Sequence, residues 1–149
     1  MRQTWEKSLE MTSGIFQNIL KAVIHVYPMI VLANLSKNKY YMIQDEGFLY
    51  NEVLSSGCYD DLIDAGVDNI HANYQSLFLN CFSRENLIRN FEKGQTDVYA
   101  ELYQKDTEGK FHWVSTHAIR IEDESGDIMH ICLNRVLDNI VENRYSDRK

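Results

Sequence analysis

Apolar and polar residues follow each other along this chain in rhythms that change from helical to extended and back, and each change predicts an element. Near the N-terminus Trp5, Leu9, Thr12, Phe16, Ile19 and Val23 recur at the alternating steps that keep one seam along a helix, with only Thr12 interrupting its hydrophobicity. This amphipathic helix over residues 1–27 suits two partners, its own domain or a second copy of the chain. Pro28 disfavours the α conformation at Tyr27 and closes the segment. The runs "MIVLANL" and "KYYMIQ" flank Ser36-Lys37-Asn38 and read as a hairpin rich in β-branched and aromatic residues. Short helices are expected between Asn51 and Leu79, one of them ending at the glycine of "SSGCYDDLIDAG". Ser83 is the expected cap of a further helix, with Leu87, Ile88 and Phe91 on one face and Gly94 as its stop.

Three strands close the pattern, and the turns between them repeat. Asp106-Thr107-Glu108-Gly109 and Asp123-Glu124-Ser125-Gly126 both place Asp first and Gly last, as type I turns do. Read as four-residue loops, they pair Lys105 with Lys110 and Glu122 with Asp127. Counting back sets Leu102 opposite Trp113, Val98 opposite His117, His117 opposite Cys132, Ser115 opposite Asn134 and Ile119 opposite His130. One face then carries Val98, Ala100, Leu102, Trp113, Ser115, His117, Ile119, His130, Cys132 and Asn134. The last strand is apolar on its other side as well, through Met129, Ile131 and Leu133, which predicts a central position in a sheet covered on both faces.

Composition narrows the function classes. At 149 residues and 44% hydrophobic the chain has enough apolar material for one core. A net charge of -7, with 15 Lys and Arg scattered among 22 acids, offers no footprint for nucleic acid or for an anionic membrane. The run "YPMIVLANL" is far below the ~20 residues that span a bilayer, and no signal-peptide core precedes it, so a soluble, cytoplasmic chain is expected. Cys58, Cys81 and Cys132 are odd in number and lack paired spacing, which points to reduced thiols rather than disulfides or zinc. No internal repeat or low-complexity tract is visible.

The order of strand, strand, short helices, capped helix and three antiparallel strands resembles the PAS fold from about Met29 to Arg144. "NIHANYQSLF" is similar to the family's His-Pro-x-Asp segment, with Ala72 in place of the proline. "FEKGQ" precedes the third long strand, "DTEGKFHWV" resembles the D-G-x-x-x-W strand turn with Glu108 before the glycine, and "VLDNIVENR" resembles the Asp-Ile-Thr close with Asn139 inserted. The resemblance implies an α+β domain over residues 28–142, a five-stranded antiparallel sheet with short helices on one face. Residues 143–149 would begin an output linker or form a tail. It also implies a small-molecule cavity under the helices, dimer contacts through the other face and the N-terminal helix (Trp5, Leu9, Phe16, Ile19, Val23), and Asp138 and Ile140 as residues that hand a signal on. Such domains normally precede a histidine kinase or a diguanylate cyclase, so a homodimeric sensor with a C-terminal output domain is the expectation, and this segment itself would not be an enzyme.

The inward polar residues are the candidate chemistry. Ala100, Trp113, Ser115, His117, His130, Cys132 and Asn134 combine apolar walls with convergent polar groups, as a pocket requires. Core residues that bond one another or water are the plainer alternative. His117 with Cys132 supplies two metal ligands without a third, so no metal is expected. "LNCFSREN" resembles the Asn-Cys-Arg-Phe run of flavin-binding relatives, but Phe82 and Ser83 break it, and Cys81 reads as a small hydrophobe. His71, a lone histidine, is not read as a haem ligand. The cofactor is left open, with flavin and haem not expected. A small α+β enzyme using His117 or His130 as general base is the second functional class.

Overall fold

The computed structural model describes residues 14–15, 18–19, 21–23, 25–45 and 54–138. Six strands form one antiparallel sheet: β1 (Met29–Asn34), β2 (Lys39–Asp45), β3 (Ser56–Cys58), β4 (Asp97–Lys105), β5 (Phe111–Ile121) and β6 (Met129–Val136), in the order β3-β2-β1-β6-β5-β4. Between β3 and β4 lie α1 (Tyr59–Val67), a single 3-10 turn (Ala72–Tyr74), α2 (Gln75–Phe82) and α3 (Arg84–Glu92). The chain is thus α+β, with β6 held between β1 and β5 as its two apolar faces predict. The sheet has one strand more than the sequence suggested. Ser56–Cys58, expected in a helical stretch, is extended and pairs with Lys39–Tyr41 of β2.

Each helix buries two residues one turn apart: Tyr59 and Ile63 on α1, Phe78 and Phe82 on α2, Leu87 and Phe91 on α3. They meet the sheet on Val31, Ala33, Tyr40, Ala100, Leu102, Ala118 and Cys132, which form the core with them. Truncating such a fully buried side chain costs roughly 2–5 kcal/mol, because the cavity left behind relaxes only in part. Tyr59 Oη donates to the Phe82 carbonyl at 2.8 Å and Arg120 donates to the Phe91 carbonyl at 2.8 Å, so the C-terminal ends of α2 and α3 are satisfied from other elements.

Local endings follow the sequence in part. Gly94 adopts φ +99, its N–H bonds the Phe91 carbonyl and Gln95 N–H bonds the Asn90 carbonyl, a Schellman close for α3. Ser83 occupies the N-cap position of α3, but its side chain makes no capping bond. Helix α1 does not stop at Gly66. The residue lies inside the helix, where a Cβ would stand 3.2 Å from the tip of Phe78, so the glycine serves the close approach of α1 to α2. The segment after α1 pairs with the outer edge of β4 through Lys105 N–H to the Asn69 carbonyl and His71 N–H to the Tyr103 carbonyl, which blunts that edge.

The hairpin register departs from the expectation by one residue, twice. Lys105 pairs with Phe111 rather than Lys110, Tyr99 with His117, and Tyr103 with Trp113. Across the second hairpin His117 pairs with Leu133, Ala118 with Cys132, Thr116 with Asn134 and Arg120 with His130. The turn glycines accommodate the change. Gly109 (φ +84) and Gly126 (φ +80) are left-handed, and each follows a turn closed by a bond from its own N–H to the carbonyl of Asp106 or Asp123. The first loop is therefore three residues long, a type I turn plus a left-handed glycine closed by Asp106 N–H to the Lys110 carbonyl, instead of four, and the second hairpin keeps the same one-residue offset down to its last strand pair, Ile121 with Met129. Two successive slips cancel for the outer members. β4 and β6 keep the shared face that the sequence assigned, while β5 is inverted between them: Val114, Thr116 and Ala118 face the helices, and Trp113, Ser115, His117 and Ile119 face the other way.

Of the expected dimer seam, Trp5, Leu9 and Phe16 lie outside the described residues. The described residues between 14 and 26 are helical, with Ile19 56% exposed and Val23 half-buried. Ile140 and residues 143–149 also lie outside them. No described helix is long and apolar enough to cross a membrane.

Candidate functional site

A cavity of about 60 Å³ lies between the sheet and helices α1 and α2. Met29 and Val31 of β1, Leu62, Ile63 and Gly66 of α1, Ile70, and Phe78 and Phe82 of α2 give it apolar walls. Its polar groups come from three neighbouring strands and one helix: Gln104 of β4, Thr116 of β5, His130, Cys132 and Asn134 of β6, and Tyr59 of α1. Tyr59 Oη is committed to the Phe82 carbonyl, so its ring is the part of it left to shape the wall.

The strand alternation decides which candidates take part. His130, Cys132 and Asn134 line the cavity, and Ala100 shares their face without lining it. Trp113, Ser115 and His117 belong to the inverted β5 face and are not in the cavity. His117 Nε2 instead lies 2.7 Å from Asp97 Oδ2 with the Tyr99 ring edge-on at 5.4 Å, a surface arrangement on the far side of the sheet from His130. Trp113 stands in a cluster with Tyr74 and Tyr103. Thr116 takes the place that the sequence gave to Ser115: its hydroxyl donates to Asn134 Oδ1 at 2.8 Å in the buried interior. Reading the left-handed glycines as bulge-forming would have found it. Gln104, Tyr59 and the two phenylalanines carried no signal of their own beyond apolar or alternating spacing.

His130 is the unusual member. Its ring is 1% exposed, packed edge-on against Tyr59 at 5.7 Å and tilted against Phe91 at 6.3 Å. Neither ring nitrogen has a hydrogen-bond partner among the described residues. Burial pushes its pKa down to about 4 against an opposing contribution from the Ile131 backbone, so the imidazole is neutral at neutral pH. Burial likewise pushes the Cys132 thiol up to about 12, against opposing contributions from Asn134 and the His117 backbone. A thiol held protonated in this way is a poor nucleophile. No lining residue is Asp, Glu, Lys or Arg, and the cavity carries no formal charge near neutrality.

A second constellation sits where β6 ends. Asp138 Oδ1 accepts from Trp113 N–H at 2.9 Å, and its Oδ2 lies 2.5 Å from His112 Nδ1. Leu137 N–H donates to the Trp113 carbonyl at 2.7 Å. The junction residue is thereby bound across to β5. His112 was not singled out from the sequence, because 26 residues separate it from Asp138 and only the hairpin brings them together. His71 Nδ1 accepts from Asn73 N–H at 3.2 Å and caps the 3-10 turn. Cys81 is half-buried on α2, with burial raising its pKa, and is absent from the cavity lining. Among the described residues no group of three or more His, Cys, Asp or Glu is placed to hold a metal ion.

No protein-family profile and no curated protein matches the chain. Among solved structures, the chain is similar to the crystal structure of a sensory box histidine kinase/response regulator from Burkholderia thailandensis, with a TM-score of 0.56 and 11% sequence identity. The match covers 89% of this chain and 92% of that one. At that identity the likeness speaks for architecture, and it agrees with the strand order and one-sided helices described above: the chain has a PAS-like fold of the sensory-box type.

Proposed function

We propose that this chain is a sensory module that holds a small molecule in the cavity beneath α1 and α2 and passes its occupancy along β6. The observation that carries this reading is the double duty of one strand. β6 supplies His130, Cys132 and Asn134 to the cavity and runs on within a few residues to Leu137 and Asp138, which are bonded to Trp113 and His112. A shift of β6 at the cavity has only a short, rigid path to the exit. By the same resemblance, the module works as a cytoplasmic homodimer through its N-terminal helix and regulates a C-terminal output domain of the histidine kinase or diguanylate cyclase type. The catalytic alternative has less support. His117 stands away from the cavity, and His130 has no carboxylate to orient it and a pKa far below the range useful to a general base at neutral pH.

Native mass spectrometry of the purified protein tests the reading, with an absorption spectrum and mass analysis of the denatured sample. A released small molecule is the expected result. If the protein remains apo and no small molecule added to it perturbs cavity residues in an NMR titration, the sensory cavity is overturned.

A further inference from the structure

The cavity's chemistry narrows what it can hold, and this step rests on reading the cavity as a ligand site. Its volume of about 60 Å³ is well below the ~300 Å³ at which drug-sized pockets begin. A ligand held there is small, with few non-hydrogen atoms. Phe78 and the neighbouring aliphatic walls favour carbon for most of them. Thr116 and Asn134 satisfy each other at 2.8 Å, which leaves the cavity's least satisfied polar group on His130. A buried polar group without a partner costs roughly 1–3 kcal/mol, and a ligand that supplies the partner recovers that cost on binding.

We propose that the cavity selects a small neutral molecule with one hydroxyl or carbonyl group, hydrogen-bonded to the His130 imidazole, and excludes anions of the same size. A neutral imidazole has one N–H and one lone pair, so by choice of tautomer it donates to a carbonyl or accepts from a hydroxyl. An anion finds no Lys or Arg in the lining and loses its hydration without a counter-charge. A purely apolar molecule fits the walls but leaves His130 unpaired. Short-chain alcohols, ketones and amides fit all three conditions.

The test is an NMR titration of the full chain with three probes of similar size: 2-propanol, acetate and xenon. 2-Propanol is expected to shift resonances of His130, Cys132 and Phe78 and to move the His130 ring nitrogens, and acetate at the same concentration is expected to leave them unchanged. In His130→Phe, which keeps an aromatic ring of similar shape, 2-propanol affinity should fall at least about tenfold while xenon still enters. Equal binding of 2-propanol in wild type and variant overturns the polar anchor and leaves the cavity reading intact. Binding of acetate overturns the exclusion of anions. Entry of none of the three probes overturns both the selectivity and the ligand cavity. Should the variant fail to fold, the wild-type ring nitrogens decide the matter, since unmoved nitrogens at saturating 2-propanol also overturn the anchor.

Discussion

His112 bridges Asp138 and Asp106: its Nδ1 lies 2.5 Å from Asp138 Oδ2 and its Nε2 lies 2.7 Å from Asp106 Oδ2. Ionised carboxylates only accept, so both ring nitrogens must donate, and the bridging ring is an imidazolium. Asp106 also accepts from the N–H groups of Glu108 and Lys110, which fixes the loop after β4. One cation thus ties that loop to the end of β6, the place where the proposed signal leaves the domain.

The charge of His112 makes a prediction on the alkaline side. Burial disfavours its protonated form, but the bonds to Asp138 and Asp106 outweigh burial and raise its pKa above the ordinary 6.5. A raised pKa means that the stabilisation is complete below 6.5 and is lost as pH climbs through the folded value. Wild-type protein should therefore lose more stability than His112→Gln between about pH 6 and about pH 9, measured by urea unfolding. Equal losses in the two proteins would remove the charged bridge.

The two glycine turns show how far the sequence could be read. Asp at the first position and Gly at the last correctly located both hairpins, and the apolar alternation correctly grouped β4 with β6. Loop length was the missing quantity, because the same four letters serve a four-residue loop or a three-residue loop with a left-handed glycine. The choice rests on tertiary packing: only the second register puts Ala118 and Thr116 under the helices and sends His117 out to Asp97. Contacts such as His112 with Asp138 were hidden for the same reason, since they exist only once the register is set. Gly109→Ala tests the turn directly. A Cβ there meets nothing within 4 Å, so the whole cost is the left-handed backbone, about 1–2 kcal/mol by chemical denaturation. An unaffected midpoint would mean that the loop adopts another form.

Dimerisation through the N-terminal seam is open to a clean test at Ile19. The side chain is 56% exposed within the single chain, so a charge placed there disturbs little of the domain's own packing. By light scattering the wild type is expected to be a dimer and Ile19→Glu a monomer, with an unchanged unfolding midpoint at matched monomer state. Persistence of the dimer would place its contacts elsewhere, such as the sheet face away from α1–α3, where Tyr41, Ile43 and Tyr99 are exposed.

The acid side of the stability profile belongs to His130, with the opposite sign to His112. Its folded pKa is depressed to about 4 from 6.5, so the unfolded chain takes up a proton in this range that the folded chain refuses. Stability therefore falls as pH drops from 6.5 toward 4, by about 3 kcal/mol over the full interval. His130→Phe removes this dependence and also removes two unpaired ring nitrogens from the interior, so the variant should equal or exceed wild type at neutral pH and exceed it clearly near about pH 4. The carboxylates with lowered pKa, Asp97, Asp106 and Asp127, weaken both proteins alike at lower pH and do not disturb the comparison. Parallel acid limbs in wild type and variant would mean that His130 is solvated or partnered in solution, and the ring would then have no unmet bond to offer a ligand.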